Sequence, residues 1–234
     1  SLSSPPTGVI PRHQNESRAR SLLSAAAIPL VLVVIVSLGA LVSPRFLTVA
    51  NLVNVLNSAA IIGIAAVGMT VVLLVGGFVD LSMPATLATA GIVTLFVGSV
   101  LPAPLAVAVG VASAAIAGLV NGLLIGWLGL NPVIATLGTN VVILGIAQAL
   151  IGGQIIYTPF DESVKQAVTA SYYGVPFAVL VLVLVAVTVG FVLSATTFGR
   201  EVYATGGNPN AALIAGVGPR RVTTIVFVIS AACA

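Results

Sequence analysis

The chain has 234 residues, of which 59% are hydrophobic and 6% are charged, and its mean hydropathy is +1.23. Soluble domains carry about 25% charged residues, so the composition excludes a soluble globular domain and indicates that most of the chain lies in lipid. The formal net charge is +3, but the basic residues stand at the ends of apolar segments and form no continuous face, which excludes a nucleic-acid-binding surface.

Apolar runs of about 20 residues mark membrane-spanning helices, because the hydrocarbon core is about 30 Å thick and a helix rises about 1.5 Å per residue. Six full spans are predicted near residues 22–43, 51–76, 81–101, 104–127, 133–151 and 176–195, and a seventh begins near Val222. The sequence therefore predicts an all-α, polytopic transmembrane bundle with broken helices over residues 21–234. Residues 1–20, rich in proline, serine and charge, are predicted to be a disordered tail. Because the chain starts at Ser1 and stops inside an apolar run, we expect a C-terminally truncated fragment.

Basic residues cluster before the first predicted span and after the sixth. They are Arg12, Arg18 and Arg20 in the first group and Arg200, Arg220 and Arg221 in the second. Cytoplasmic segments carry an excess of lysine and arginine, so both groups are expected in the cytoplasm. Six crossings separate them, which is consistent with a cytoplasmic N-terminus in a multi-pass protein.

The segment VGGFVDLSMPATL, residues 75–87, interrupts the apolar pattern with Asp80. An aspartate at the centre of a span costs about 2.5 to 3.5 kcal/mol on insertion scales, so it needs water or a partner. The two glycines before it and the proline after it predict that the helix breaks here. Two interpretations stay open: an ordinary cytoplasmic turn in which Asp80 or Ser82 caps the next helix, or a broken segment that lines the path of a polar solute.

Small residues recur every four positions in the fourth predicted span and share one helix face. They are Gly110, Ala114, Gly118, Gly122 and Gly126. Such a face lets another backbone approach closely, because helices in lipid associate through packing. The neighbouring Asn121 needs hydrogen-bond partners, so it either ties two helices together or faces a wet pathway.

The segment LGLNPVIATLGTN, residues 128–140, predicts the start of the fifth span. Asn131 resembles an N-cap, and Pro132 is typical of the first helical position. Thr136, Thr139 and Asn140 then place polar groups along the first turns. These groups are able to bind solute hydroxyls, or equally to bond to the backbone of their own helix.

No catalytic chemistry is expected on this chain. It has no GxxxxGK[ST] loop, its only lysine is Lys165, and no histidine or acidic residues are spaced as metal ligands or as an acid and base pair. The sequence therefore predicts no catalytic residues, no metal site and no cofactor on the chain itself.

A polar segment at residues 196–221 follows the sixth predicted span. A short helix is expected over residues 199–203, with a break at Gly206 and Gly207. Asn208, followed by proline, is expected to cap a second short helix that ends at Gly216. Two short, partly apolar helices held in the cytoplasm suit insertion into a groove on another protein.

At these residues the chain resembles a known family. GREVYATGGNPNAALIAGV, residues 199–217, resembles the cytoplasmic coupling segment of the sugar-type permeases of bacterial ATP-binding-cassette importers, the ribose, xylose and galactose permease group related to branched-chain amino-acid permeases. GGFVDLS, VNGLLIG and NPVIATLGT resemble further segments of that family in the same order. The resemblance covers residues 50–234. It departs from the family's usual pattern in having two residues, Phe78 and Val79, between the glycine pair and Asp80.

The resemblance implies several partners: a cytoplasmic subunit that binds ATP and Mg, an extracytoplasmic solute-binding protein, and a second permease subunit in a homodimer or heterodimer. It also implies a bacterial plasma membrane and further C-terminal spans. It assigns coupling to the ATPase to Phe198, Gly199, Arg200, Tyr203, Gly206, Gly207, Asn208, Ala211, Ala212 and Gly216. Our candidates for the translocation pathway are Asp80, Ser82, Asn121, Asn131, Thr136 and Asn140.

The expected function is therefore inward transport of a small polar solute, a monosaccharide above all, by alternating access driven by a separate ATPase. An autonomous secondary carrier or channel is the alternative. Ion-driven carriers usually keep ionisable residues in their spans, and Asp80 is the only acid between Glu16 and Asp161, which weakens that alternative. A purely structural membrane anchor does not explain the paired short helices.

Overall fold

The structure is a computed structural model that describes residues 12–152, 154, 160, 165, 171–172 and 174–234. Nine helices lie in these ranges: α1 (Arg12–Val42), α2 (Val49–Gly76), α3 (Met83–Val97), α4 (Ala103–Gly126), α5 (Pro132–Ile151), α6 (Phe177–Ala195), α7 (Thr197–Gly207), α8 (Pro209–Ile214) and α9 (Pro219–Ala232). Two strands of two residues each, β1 (Ser171–Tyr172) and β2 (Val175–Pro176), pair antiparallel. The prediction of an all-α membrane bundle is confirmed, with this small strand pair as an addition.

Among the residues that the structure describes, four helices are long and apolar enough to cross a membrane: α2, α4, α5 and α6. The sequence predicts a full span at residues 81–101, but α3 is shorter. Its 15 residues reach about 22 Å, less than the hydrocarbon core of about 30 Å. The difference arises because residues 81–82 and 98–101 are not helical.

The first helix overlaps the predicted tail. Helix α1 begins at Arg12, directly after Pro11, and so includes residues 12–20 of the region predicted as disordered. Residues 1–11 lie outside the described part of the chain.

Two asparagine caps that the sequence predicts are confirmed. The Asn131 side chain accepts hydrogen bonds from the backbone N–H of Val133 at 3.0 Å and of Ile134 at 3.4 Å. The Asn208 side chain accepts from Asn210 N at 3.0 Å and from Ala211 N at 3.1 Å. Each asparagine is followed by proline, whose missing N–H costs nothing at the first helical position. Helices α5 and α8 therefore begin at the residues that the asparagine–proline pairs predict.

The chain divides into two compact units, residues 1–54 and residues 55–234. In the first unit, the Phe46 ring lies against Gly39, where a Cβ atom would come within 2.6 Å of the ring. Asn51 Nδ2 donates a hydrogen bond to the Phe46 carbonyl at 2.7 Å. These contacts connect the end of α1 to the start of α2 within that unit.

The core of the second unit is a group of buried apolar side chains from five helices. Its members are Val71, Val72 and Val75 of α2, Ile125 of α4, Ala135 of α5, Val202 of α7, and Val222, Val226 and Phe227 of α9. Burying branched and aromatic side chains together lets these helices pack against one another in a chain whose outer surface faces lipid.

Helices α4 and α9 approach each other along the small-residue stripe. A Cβ atom at Gly122 would lie 2.6 Å from Thr224 Cα, and one at Gly126 would lie 2.8 Å from the Arg220 carbonyl oxygen. The Thr224 hydroxyl donates to the Gly122 carbonyl at 3.1 Å. Only glycine leaves room for these backbone contacts, so the stripe places α9 directly on α4.

The stripe meets different partners along its length. Gly118 faces the Phe227 carbonyl of α9, whereas Gly110 faces Thr94 of α3. Ala114, between them, is buried. Helix α4 thus packs against two other helices through one set of small residues.

We predict that Gly122→Ala destabilises the full-length protein by about 1 to 3 kcal/mol, because the added methyl group would overlap the α9 backbone, which cannot move alone. The measurement is the thermal unfolding midpoint of the purified protein in detergent.

Gly138→Ala in α5 is the matched control, since a Cβ atom there meets no atom within 4 Å. Equal unfolding midpoints for the two variants would show that α4 and α9 do not make this contact.

Candidate functional site

The interruption between α2 and α3 contains two buried polar side chains. Gly77 has a backbone φ of +67°, a conformation that residues other than glycine rarely adopt. Helix α2 therefore ends there, with Gly77 N still donating to the Leu73 carbonyl at 2.8 Å. Asp80 and Ser82 are only 2% and 1% exposed. The burial of these two polar side chains supports the interpretation of a broken segment, whereas Gly76, Gly77 and Val79 are exposed.

Side-chain hydrogen bonds run from this break across two further helices. The Ser82 hydroxyl donates to Asp80 Oδ1 at 2.6 Å and accepts from Asn121 Nδ2 at 2.7 Å. Asn121 Oδ1 in turn accepts from the Thr139 hydroxyl at 2.7 Å. We call Asp80, Ser82, Asn121, Thr136 and Thr139 the polar cluster. It connects the broken segment to α4 and α5.

Side chains also accept hydrogen bonds from the backbone N–H groups of the break. Leu81 N donates to Thr136 Oγ1 at 3.2 Å, and Ser82 N donates to Asp80 Oδ1 at 2.9 Å. Asp80 N faces Met69 Sδ at 3.4 Å. Lipid offers no partner for such groups, so a non-helical segment within a bilayer is stable only where the protein provides partners. The cluster is therefore part of what holds the break in place.

Two cavities border the polar cluster on different sides of α3. One, of about 360 Å³, lies between α2 and α3, and Asp80 is among its lining residues. The other, of about 300 Å³, lies between α3, α4 and α5 and is lined by Thr86, Thr89 and Thr139 among mostly apolar residues. The chain of hydrogen bonds from Asp80 to Thr139 thus leads from one cavity to the other.

The structure brings together four of the six pathway candidates. Asp80, Ser82, Asn121 and Thr136 belong to the polar cluster. Asn131 does not, because its side chain is exposed and caps α5. Asn140 lies one helical turn beyond Thr136 and is half-buried.

Two threonines join the site that were not among those candidates. Thr139 completes the chain of side-chain hydrogen bonds, and the Thr86 hydroxyl donates to the Ser82 carbonyl at 3.0 Å. Sequence reasoning noted Thr139 only as a polar group of its segment. A threonine that bonds between helices has the same local pattern as one that bonds to its own helix, so no sequence signal separated them.

The coupling segment, residues 196–221, has an inner face that packs on its own chain. Five residues of α7 spaced for one helix face turn inward: Phe198, Gly199, Val202, Thr205 and Gly206. A Cβ atom at Gly199 would meet the Leu193 backbone, and one at Gly206 would meet the Leu74 carbonyl oxygen near the end of α2. Ala212 of α8 is also buried.

The opposite face of the coupling segment is exposed and partly apolar. Tyr203, Leu213 and Ile214 are 52%, 62% and 90% exposed, beside the exposed Arg200. The remaining predicted coupling residues, Gly207, Asn208, Ala211 and Gly216, are exposed too. The Asn208 carboxamide already caps α8, so the predicted coupling set divides into packing, capping and surface positions.

Comparison with known proteins adds to this geometry. The model of the family described as "Branched-chain amino acid transport system / permease component" matches residues 51–234. The chain belongs to this permease family. Both the polar cluster and the coupling segment lie inside the matched residues. The chain is accordingly a multi-pass membrane protein of the permease family.

Three curated relatives illustrate the likeness. The chain is 34% identical to the D-allose transport system permease protein of Escherichia coli over 87% of this chain and 63% of the relative. It is 37% identical to the ribose import permease protein of Bacillus subtilis over 84% of this chain and 61% of that protein. It is 34% identical to the L-arabinose ABC transporter permease protein of Azospirillum brasilense over 89% of this chain and 61% of that protein. The chain thus spans less than two thirds of these relatives' length. No solved structure matches it significantly.

The side chains of the polar cluster are able to interact with a ligand by hydrogen bonding. Within the described ranges, no three histidine, cysteine, aspartate or glutamate residues lie together as a metal site would require. Asp80 offers carboxyl oxygens, Asn121 an amide, and three residues offer hydroxyls. These groups suit the recognition of a hydroxylated solute or the closing of its path.

We predict that Ser82→Ala destabilises the protein by about 1 to 3 kcal/mol, because Asn121 Nδ2 loses its acceptor and Asp80 loses a donor in a buried site. The measurement is again the thermal unfolding midpoint of the full-length protein.

The control is Ser113→Ala, whose hydroxyl donates to the Gly110 carbonyl of its own helix at 2.7 Å. A much smaller change is expected there. A shift in Ser113→Ala as large as that in Ser82→Ala would contradict the bridging role.

Proposed function

We propose that the chain is the permease subunit of an ATP-binding-cassette importer, and that it moves a monosaccharide into the cytoplasm by alternating access. The observation that carries this proposal is the coupling segment. Two consecutive short helices bury one face on the chain's own core and expose tyrosine, leucine and isoleucine on the other. An exposed apolar face on short helices beside arginine suits docking into a groove of another protein.

The named relatives support the solute class. Allose, ribose and arabinose are monosaccharides, and three relatives are named for their transport. The family description names branched-chain amino acids instead. The polar cluster favours a sugar, because hydroxyl and amide groups pair well with sugar hydroxyls, whereas an aliphatic side chain would leave them unsatisfied.

Orientation and partners follow from the arginines and the docking surface. Arg200, Arg220 and Arg221 are exposed around α7 to α9, which supports a cytoplasmic position for the coupling segment. The expected N-terminus is then also cytoplasmic, in the plasma membrane of a bacterium. ATP and Mg would bind to a partner ATPase, and an extracytoplasmic solute-binding protein would deliver the sugar.

A second permease subunit is the remaining partner. No residue of α6 is fully buried, and Leu184, Val187 and Phe191 are largely exposed. The exposed face of this apolar helix is therefore available to lipid or to another membrane subunit. Homodimers and heterodimers are both compatible with this surface.

The polar cluster would act as the closed part of the solute pathway. Asp80, Ser82, Asn121 and Thr136 bond to one another or to nearby backbone and are almost fully buried. Transport would require these bonds to separate and then exchange with solute hydroxyls. Alternating access supplies this exchange through two conformations that differ in exposure.

The decisive experiment isolates the full-length protein gently from its native membranes and asks whether an ATP-hydrolysing subunit copurifies. We expect Arg200→Ala and Leu213→Ala to reduce the copurified ATPase severalfold, because both side chains lie on the exposed face. Val141→Ala in α5 is the matched control, because its side chain is similarly exposed and lies outside the coupling segment. Asn208 is a poor probe because its substitution removes the cap of α8.

Uptake into vesicles then separates the solute classes. Accumulation of ribose, arabinose or allose that depends on ATP supports the proposal, whereas accumulation of leucine alone replaces the sugar with an amino acid. A protein that purifies without an ATPase and moves solute without ATP would instead be an autonomous carrier or channel.

A further inference from the structure

The only tryptophan of the chain lies where α4 ends. Trp127 directly follows Gly126, the last residue of α4, and its side chain is exposed. The exposed large side chains in the preceding turns of α4 are apolar, namely Leu119, Val120 and Leu123. Tryptophan is enriched at membrane–water interfaces because its ring is apolar and its indole N–H is polar. Trp127 therefore marks the level at which α4 leaves the hydrocarbon.

An arginine from α9 lies over this ring. The Arg220 guanidinium carbon is 6.0 Å from the centroid of the Trp127 ring, which is a cation–π contact. The Arg220 backbone is also held in place. Its carbonyl oxygen lies against Gly126, where a Cβ atom would come within 2.8 Å, and it accepts a hydrogen bond from the Thr224 hydroxyl at 2.9 Å. The structure thus positions this arginine at both its backbone and its side chain.

Few acids balance the positive charge in this part of the chain. Arg221 follows Arg220 and is exposed as well. From Arg200 to the end of the chain, the sequence has three arginines and one acid, Glu201. A guanidinium group binds phosphate oxygens through two parallel N–H donors. Two adjacent exposed arginines at the edge of the hydrocarbon therefore suit a phosphate group at the level of the lipid headgroups.

Apolar side chains beside Trp127 offer a surface for acyl chains. Leu128, the next residue, is 65% exposed, and Ile134 in the first turn of α5 is 72% exposed. An acidic protein surface would pair with the arginines but would gain nothing from these apolar groups. A phospholipid matches both, because its charged headgroup and its acyl chains are joined in one molecule. The combination favours an anionic phospholipid as the occupant.

We propose that Trp127, Arg220 and Arg221 form a binding site for the headgroup of an anionic phospholipid in the leaflet at this end of α4. The two guanidinium groups donate to the phosphate, while the indole ring and Leu128 contact the upper part of the acyl chains. Because Arg220 is anchored to α4 at Gly126, the bound lipid holds the start of α9 against the end of α4. The site requires neither an ATPase nor a particular solute, so it is independent of the proposed function.

The test uses the fluorescence of Trp127 in the full-length protein, with any tryptophan outside residues 1–234 replaced by phenylalanine. The protein is reconstituted without an ATPase into phosphatidylcholine vesicles that contain a brominated lipid, whose bromine atoms quench a nearby tryptophan. Brominated phosphatidylglycerol should bind beside Trp127 about fivefold more tightly than brominated phosphatidylcholine, since each arginine near the surface attracts anionic lipid. Salt at about 0.5 M should reduce this preference, because exposed charges are screened.

Variants of the arginines locate the site. Arg220→Ala should lower the preference for phosphatidylglycerol about threefold, and the double variant with Arg221→Ala should abolish it. Arg200→Ala is the charge-matched control, because it removes one exposed arginine from outside the site, and the preference should stay unchanged. A preference that persists in the double variant, or that falls as far in Arg200→Ala as in Arg220→Ala, would overturn the proposal.

A second measurement keeps the test decisive if the arginine variants cannot be purified. Native mass spectrometry of the unaltered protein, released from nanodiscs with equal amounts of the two lipids, should show phosphatidylglycerol retained in preference. Equal retention would contradict the lipid site. Equal quenching by the two lipids, with less copurified ATPase in Arg220→Ala, would assign the arginines to a protein interface and overturn the lipid site while supporting the importer. Failure to copurify an ATPase would leave the lipid site intact, so the two failures are distinguishable.

Discussion

The break between α2 and α3 is stable inside an apolar chain only because side chains replace the missing helical hydrogen bonds. Lipid cannot satisfy a free backbone N–H, so each such group must find a partner in the protein. Thr136 supplies one for Leu81 and Asp80 supplies one for Ser82. The Ser82 hydroxyl then bonds to Asn121. The relative positions of α3, α4 and α5 thus follow from the need to satisfy one interruption.

Close packing at the glycines of α4 fixes the position of this helix relative to α9. Asn121 precedes Gly122, which lies against the α9 backbone, so one turn of α4 carries both a polar contact and a backbone contact. Hydrophobic exclusion does not drive helices together in lipid, and close approach between small residues takes its place. Helix α4 is therefore held from two sides, by α9 and by the polar cluster.

The coupling segment has one face in the core and another on the surface. Gly206 lies against the Leu74 carbonyl of α2 and Val202 is buried in the core, while Tyr203 and Leu213 face outward. The segment thus packs on its own chain with one face and leaves the other face exposed.

Local patterns in the sequence determined the apolar helices, the break after the paired glycines, and the caps at Asn131 and Asn208, because each depends on neighbouring residues alone. The tertiary structure decided which of the polar residues meet, that the third span is short, and which coupling residues face inward. Ser82 and Asn121 are 39 positions apart, and Gly122 and Thr224 are 102 apart. A sequence shows that a buried amide needs a partner or that a glycine allows close approach. Only the folded chain determines which distant residue fills that need, because that choice depends on the packing of all the helices together.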